Sequence, residues 1–87
     1  MEIETQNIRQ FREALEAKPD IIMLDNMGIA DIKKAVQLRG RLRVLLEVSG
    51  GVTVRSIRAI AQTGVDMISA GTLTHSVTAL DFSLDII

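Results

Sequence analysis

Asp20-Ile21-Ile22-Met23-Leu24-Asp25-Asn26 is the stretch on which the reading of the fold turns. Its four central residues form the longest uninterrupted apolar run in the chain. Such a run is far too short to cross a bilayer. Bounded by charge at both ends, it reads as a strand buried on both faces, the kind that parallel sheets use.

Working outward, the same element recurs. Strands are expected at 1–4, 21–24, 43–47 and 66–70, each short and rich in Ile, Leu, Val or Met. Between them lie segments with helical spacing: Ile8, Phe11 and Leu15, then Ile29, Ile32 and Val36, then Val54, Ile57, Ile60 and Ala61. Apolar residues at i, i+3/i+4 and i+7 mark helices lying on a sheet. The punctuation agrees. Asn7 or Thr5 can cap the first helix, Asn26 or Gly28 the second, and Thr53 the third. Gly40 and Gly64 stand where a helix exit needs a positive φ. Lys18-Pro19-Asp20 turns the chain back into the second strand. The expected fold is therefore α/β, with four βα units and parallel strands. Right-handed crossovers suit an open parallel sheet or part of a TIM-like, incomplete α/β barrel.

Length and composition narrow the function. The 87 residues form one segment, against about 250 for a complete (β/α)₈ barrel. Ten Lys and Arg oppose eleven Asp and Glu, for a net charge of −1. No sequence-wide basic field exists to drive nucleic-acid or anionic-membrane binding. Cysteine is absent, which excludes disulfides and thiolate metal sites and fits a cytoplasmic setting. Only Phe11 and Phe82 are aromatic, few for a self-contained core of this size. Both termini read as cut from something larger. An open sheet with unpaired edges, whose inner face of Ile3, Ile22, Leu45 and Ile68 lacks an opposing half, is expected to associate as a homo-oligomer.

Chemistry collects where parallel strands end. Those positions are Glu4, Asp25-Asn26, Ser49-Gly50-Gly51 and Gly71-Thr72. Glycines let a ligand approach the backbone, and amides at a helix start favour an anion. Two successive glycine loops, the second carrying the only histidine, His75, suit a phosphate; tight turns alone are the alternative. Glu4 and Asp25 could chelate Mg²⁺, accept from vicinal hydroxyls, act as an acid/base pair, or merely cap and solvate. Glu47 lies inside the third strand, either supporting the rim or pairing with a cation. Arg39, Arg41 and Arg43 precede that strand at the opposite end and are expected to be solvated, and Arg55 and Arg58 to be surface groups on the third helix.

The blocks Glu2-Ile-Glu-Thr5, Ile21-Ile-Met-Leu-Asp-Asn-Met27, Leu46-Glu-Val-Ser-Gly-Gly-Val-Thr53, Thr63-Gly-Val-Asp66 and Ser69-Ala-Gly-Thr-Leu-Thr-His-Ser76, closing with Ala79-Leu-Asp81, resemble quinolinate phosphoribosyltransferase, also called nicotinate-nucleotide pyrophosphorylase (carboxylating). The resemblance covers essentially the whole chain and corresponds to the C-terminal part of the family's barrel. It implies an N-terminal sandwich domain and a first barrel half outside these residues, and dimers that share active sites. The implied activity transfers phosphoribose from phosphoribosyl pyrophosphate to quinolinate. Nicotinate mononucleotide, carbon dioxide and pyrophosphate result, a step of NAD biosynthesis, with Mg²⁺ accompanying the pyrophosphate. Glu4 and Asp25 would hold ribose hydroxyls or the metal, and Ser49, Gly50, Gly51, Gly71 and His75 the 5-phosphate. No residue of the segment takes a catalytic role under this reading. The basic residues for quinolinate and pyrophosphate would lie upstream, so the 87 residues alone are expected to be inactive. A non-catalytic barrel half, and a phosphate-binding segment of a molybdenum-associated homologue, are the alternatives.

Overall fold

The computed structural model describes residues 1–69 and 77–78. Four parallel strands alternate with three helices: β1 Glu2–Thr5, α1 Ile8–Glu16, β2 Ile21–Asp25, α2 Ile29–Arg39, β3 Leu45–Ser49, α3 Val54–Ala61 and β4 Met67–Ser69. A short β5, Val77–Thr78, runs antiparallel along β4. The sequence pattern had no signal for that strand. The sheet order is β1-β2-β3-β4-β5. Because successive parallel strands are spatial neighbours, the crossovers advance in one direction and stack all three helices on one face. This is the singly wound arrangement of a barrel wall.

Local chemistry explains each helix. The Asn7 side chain accepts from Gln10 N–H and opens α1. Phe11 and Ala14 then turn inward, and Phe11 is completely buried. After the cap at Ala17, Lys18 adopts φ +52° and buried Pro19 prevents the helix from continuing. Gly28 opens α2 without a side-chain cap, and Ile32 and Ala35 face the sheet. Thr53 and Ser56 form a reciprocal capping box at α3. Gly40 (φ +55°) and Gly64 (φ +102°) take the positive φ expected of them.

The core lies between helices and sheet. Phe11, Ile32, Ala35, Ile60 and Ala61 pack on Ile22, Leu24, Leu46, Val48 and Ile68. Strand side chains alternate, so Met23, Asp25, Leu45, Glu47, Ser49, Met67 and Ser69 occupy the other, open face. This corrects the expected inner face of Ile3, Ile22, Leu45 and Ile68. Ile22 and Ile68 are fully buried under the helices, Ile3 packs with them, and only Leu45 belongs to the open face. An all-apolar run has no alternation to show which side meets the helices.

The strand limits differ from the sequence expectation for a similar reason. The β2–β3 ladder runs from Ile21↔Leu45 to Asp25↔Ser49, so Asp25 and Ser49 are the last paired residues rather than the first loop residues. Expected strand 43–47 therefore moves two places toward the rim. Asp66 lies before β4, with its side chain turned to accept Leu46 N–H at 2.8 Å.

Arg39 is the second correction. It was expected to be solvated, but its side chain is only 14% exposed. It donates to Asp66 Oδ2 at 2.6 Å, to the Gly64 carbonyl at 3.1 Å and to the Val44 carbonyl at 3.4 Å. Its buried Nε has no partner among the described residues. Arg39 thus ties the α2–β3 connection to the turn before β4. Arg41, Arg43, Arg55 and Arg58 are exposed, as expected.

Candidate functional site

At the C-terminal ends of the strands, Asp25, Ser49 and Ser69 stand in one register row on the open face. Asp25 is placed there because β2 ends with its ladder partner Ser49. Ser49 Oγ donates to Asp25 Oδ1 at 3.2 Å and steadies the carboxylate across the strand gap. Beyond Ser49 the chain enters two residues of positive φ, Gly50 at +75° and Gly51 at +63°. A Cβ on Gly50 would lie 2.8 Å from Asp25 Oδ1, and one on Gly51 would lie 3.0 Å from Asn26 Oδ1. Asn26 N–H donates to the Ser49 carbonyl at 2.8 Å. The β2 and β3 ends are therefore interlocked through backbone and side chains, and glycine is required where they touch.

One step below that row, Met23, Glu47 and Met67 are in register. Glu47 is only 7% exposed. Its carboxylate accepts the hydroxyl of Ser69, which draws the Ser69 side chain toward it. The rim-support role foreseen for Glu47 is the one its geometry favours.

Glu4 shares the open face with Asp25 but not its level. Glu4 is opposite Met23, whereas Asp25 is opposite Ser49. The two carboxylates are diagonal neighbours on adjacent strands, one two-residue step apart, and Glu4 is exposed. Among the described residues no three His, Cys, Asp or Glu converge in a metal-binding group. Gly71 and His75 lie outside the described residues.

Charge is segregated. All ten Lys and Arg sit on helices or in the 17–20 and 40–44 connections, and none is on the open face of the sheet. A concavity of about 710 Å³ lies at the opposite end of the strands, against Leu15, Pro19, Leu42, Val44 and Leu45. Most of its lining is aliphatic, with the charged Lys18, Asp20 and Arg43 among it, and it lies away from the C-terminal strand ends where parallel sheets place their chemistry. The interlocked rim is the better site.

A sequence model of the quinolinate phosphoribosyl transferase C-terminal domain matches residues 1–85. The chain belongs to this family. Curated relatives agree. A probable nicotinate-nucleotide pyrophosphorylase [carboxylating] of Methanocaldococcus jannaschii is 42% identical, over all of this chain and 33% of its own length. A mitochondrial quinolinate phosphoribosyltransferase [decarboxylating] of Nicotiana glauca is 44% identical, over 99% of this chain and 28% of its own. Among solved structures, the nicotinate-nucleotide pyrophosphorylase of Ehrlichia chaffeensis superposes with a TM-score of 0.77 at 51% identity, over 82% of this chain and 26% of that one. That of Francisella tularensis gives 0.76 at 46% identity, over 90% and 28%. The chain spans about a third of the length of the curated relatives it matches. In this C-terminal domain of the quinolinate phosphoribosyl transferase family, the match runs through β1, β2 and β3 and includes the whole Asp25-to-Gly51 rim.

Sequence reasoning found Asp25, Ser49, Gly50 and Gly51 because carboxylates and glycines ending apolar runs are conspicuous. It placed Asn26 beside Asp25 at a strand end and as a possible cap, without a partner across the sheet, and took Ser69 as an ordinary strand residue. The available signal for Ser69 was its equivalence to Ser49 in the next repeat.

Proposed function

We infer that this segment supplies the phosphoribose-binding wall of a quinolinate phosphoribosyltransferase. The carrying observation is the interlocked rim, where a steadied carboxylate and two positive-φ glycines meet at the strand ends of a domain from this family. The Ser49-Gly50-Gly51 backbone receives the 5-phosphate of phosphoribosyl pyrophosphate, since no Cβ stands between ligand and amides. Asp25 accepts from a ribose hydroxyl. Its charge, beside the sugar ring, also favours the positive character that develops at C1 as pyrophosphate departs and the quinolinate nitrogen attacks. Glu4, one step lower on the neighbouring strand, accepts from a second hydroxyl. Gly71 and His75 complete the phosphate contacts in this reading.

Mg²⁺ fits the donor set in a restricted sense. Two hard carboxylate oxygens, Glu4 and Asp25, suit an ion that keeps several waters and binds through one or two carboxylates plus substrate phosphates. When bound with pyrophosphate it neutralises the charge of the leaving group. Quinolinate and pyrophosphate are anions, and the open face carries no cation to receive them. Basic groups from the remaining two thirds of the family's chain complete the site, and the 87 residues alone are expected to show no turnover.

The test is a graft. These 87 residues replace the matched third of the M. jannaschii relative, and nicotinate mononucleotide formation is followed from quinolinate and phosphoribosyl pyrophosphate. Magnesium-dependent product from the graft, lowered about a hundredfold by Asp25→Asn, is expected. A folded graft that binds quinolinate but gives no product contradicts the reading. Turnover by the 87-residue chain alone, free of host enzyme, contradicts the division of labour.

A further inference from the structure

Asn26 is one of only two non-glycine residues with positive φ among the described residues, at +56°. The other, Lys18, sits at a helix exit, where a left-handed residue is ordinary. Asn26 follows a strand instead. Such conformations persist where the surroundings over-determine them, often at functional sites. Asparagine tolerates this region better than other side chains.

The surroundings are visible here. The left-handed turn aims the Asn26 N–H at the Ser49 carbonyl, 2.8 Å away. It also carries Asn26 Oδ1 to 3.0 Å from where a Gly51 Cβ would stand, and Asn26 N to 3.2 Å from that of Gly50. One residue thus donates to the carbonyl that leads into the loop and closes the space beside both of its glycines to any side chain. Its neighbour Asp25 is held to the same strand end by Ser49. Two glycines in succession otherwise have the greatest backbone freedom of any pair.

We propose that Asn26 is a positioning residue of the site: it holds the Gly50–Gly51 loop in its ligand-ready form from the end of β2. This rests on the reading of that loop as the phosphate cradle. It adds that the carboxylate strand and the phosphate loop are ordered as one unit through Asn26. Asn26 acts from beside the loop, by its bond to the Ser49 carbonyl and its side-chain oxygen against Gly51, and its substitution therefore removes loop order before any ligand arrives.

The experiment uses the ¹⁵N-labelled 87-residue chain, inorganic phosphate as the titrant, and the variants Asn26→Gly and Asn26→Asp. Without ligand, Asn26→Gly should lower the order parameters of Gly50 and Gly51 from about 0.85 toward 0.6 or below. It should weaken phosphate binding about three- to tenfold, the worth of one pre-ordered element. Its melting temperature should not fall, because glycine relieves the left-handed backbone. Asn26→Asp keeps an oxygen over Gly51 and should retain the loop order. Unchanged order at Gly50 and Gly51 in Asn26→Gly overturns the proposal, as does a fall in melting temperature with the loop order intact. Loss of order in Asn26→Asp as well overturns the assignment to the side-chain oxygen. If the wild-type chain ignores phosphate while Asn26→Gly loosens the loop, the phosphate reading fails and the positioning role stands. If both bind phosphate equally with equal loop order, the positioning role fails and the phosphate reading stands.

Discussion

Gly50→Ala separates a functional rim from an ordinary turn. Gly50 has φ +75°, and its new Cβ would stand 2.8 Å from Asp25 Oδ1 and 3.2 Å from Asn26 N. The left-handed backbone costs an L-residue about 1–2 kcal/mol. The methyl group also displaces the Asp25 carboxylate and with it the Ser49 hydrogen bond, worth about 1 kcal/mol net. Asp25 is only half-buried and can swing aside, so the clash adds little beyond the lost bond. The total is about 2–3 kcal/mol, or roughly 10–20 °C in melting temperature for a domain of this size. Gly28→Ala is the control. Gly28 has no atom within 4 Å of a new Cβ and an unstrained φ of −73°, so its cost should be about 0.5 kcal/mol from a poorer helix cap. The assay is thermal denaturation by circular dichroism, paired with phosphate titration. Gly50→Ala should melt well below Gly28→Ala and lose phosphate binding. Equal melting temperatures, with phosphate binding intact in both, would refute the reasoning that glycine is demanded by the contact between the two strand ends.

Three further outcomes are expected. Asp66→Ala removes the acceptor of both Leu46 N–H and Arg39, and should cost roughly 2–3 kcal/mol after allowance for the partial exposure of the pair; Asp66→Asn, which keeps an acceptor, should cost clearly less in urea denaturation, and equal losses would remove the role given to the clamp. In the grafted enzyme, Asp25→Asn should lower kcat/KM about a hundredfold, while Glu47→Gln, which still accepts from Ser69, should lower it far less; comparable kinetic losses with both proteins folded would place the chemistry one row deeper. The chain alone should self-associate through the open face, where Met23, Leu45 and Met67 lie and Leu45 is 44% exposed; a strictly monomeric species with one cooperative melt in sedimentation and calorimetry would show that this face is satisfied without a partner.

Much of the fold was legible because its signals are local. An amphipathic period, an Asn or Thr before it and a glycine or proline after it all lie within a few residues. Asn7, Thr53, Gly40 and Gly64 therefore declare themselves without knowledge of the rest of the chain. The strand ends were legible for the same reason, since Asp25 and Ser49-Gly50-Gly51 interrupt apolar runs abruptly.

Facing, register and long-range partners were decided only by the tertiary structure. Ile21-Ile22-Met23-Leu24 has no polar residue to mark an outer side. Packing against Phe11 and Ile32 selects Ile22 and Leu24 for the core and turns Met23 and Asp25 to the open face. Register is likewise a property of pairs of strands. A two-residue offset in register sets Glu4 beside Met23 instead of beside Asp25 and turns an apparent carboxylate pair into a diagonal one. Arg39 reads as a solvated charge until the chain brings Asp66, 27 residues away, within 2.6 Å of it. Asn26 reads as a cap until β3 carries two glycines against it. The sequence by itself determines where strands and helices form, because those choices are made over a few neighbouring residues. Which of their side chains meet is determined by alternation and register between segments far apart in the chain, and these exist only once the sheet has assembled.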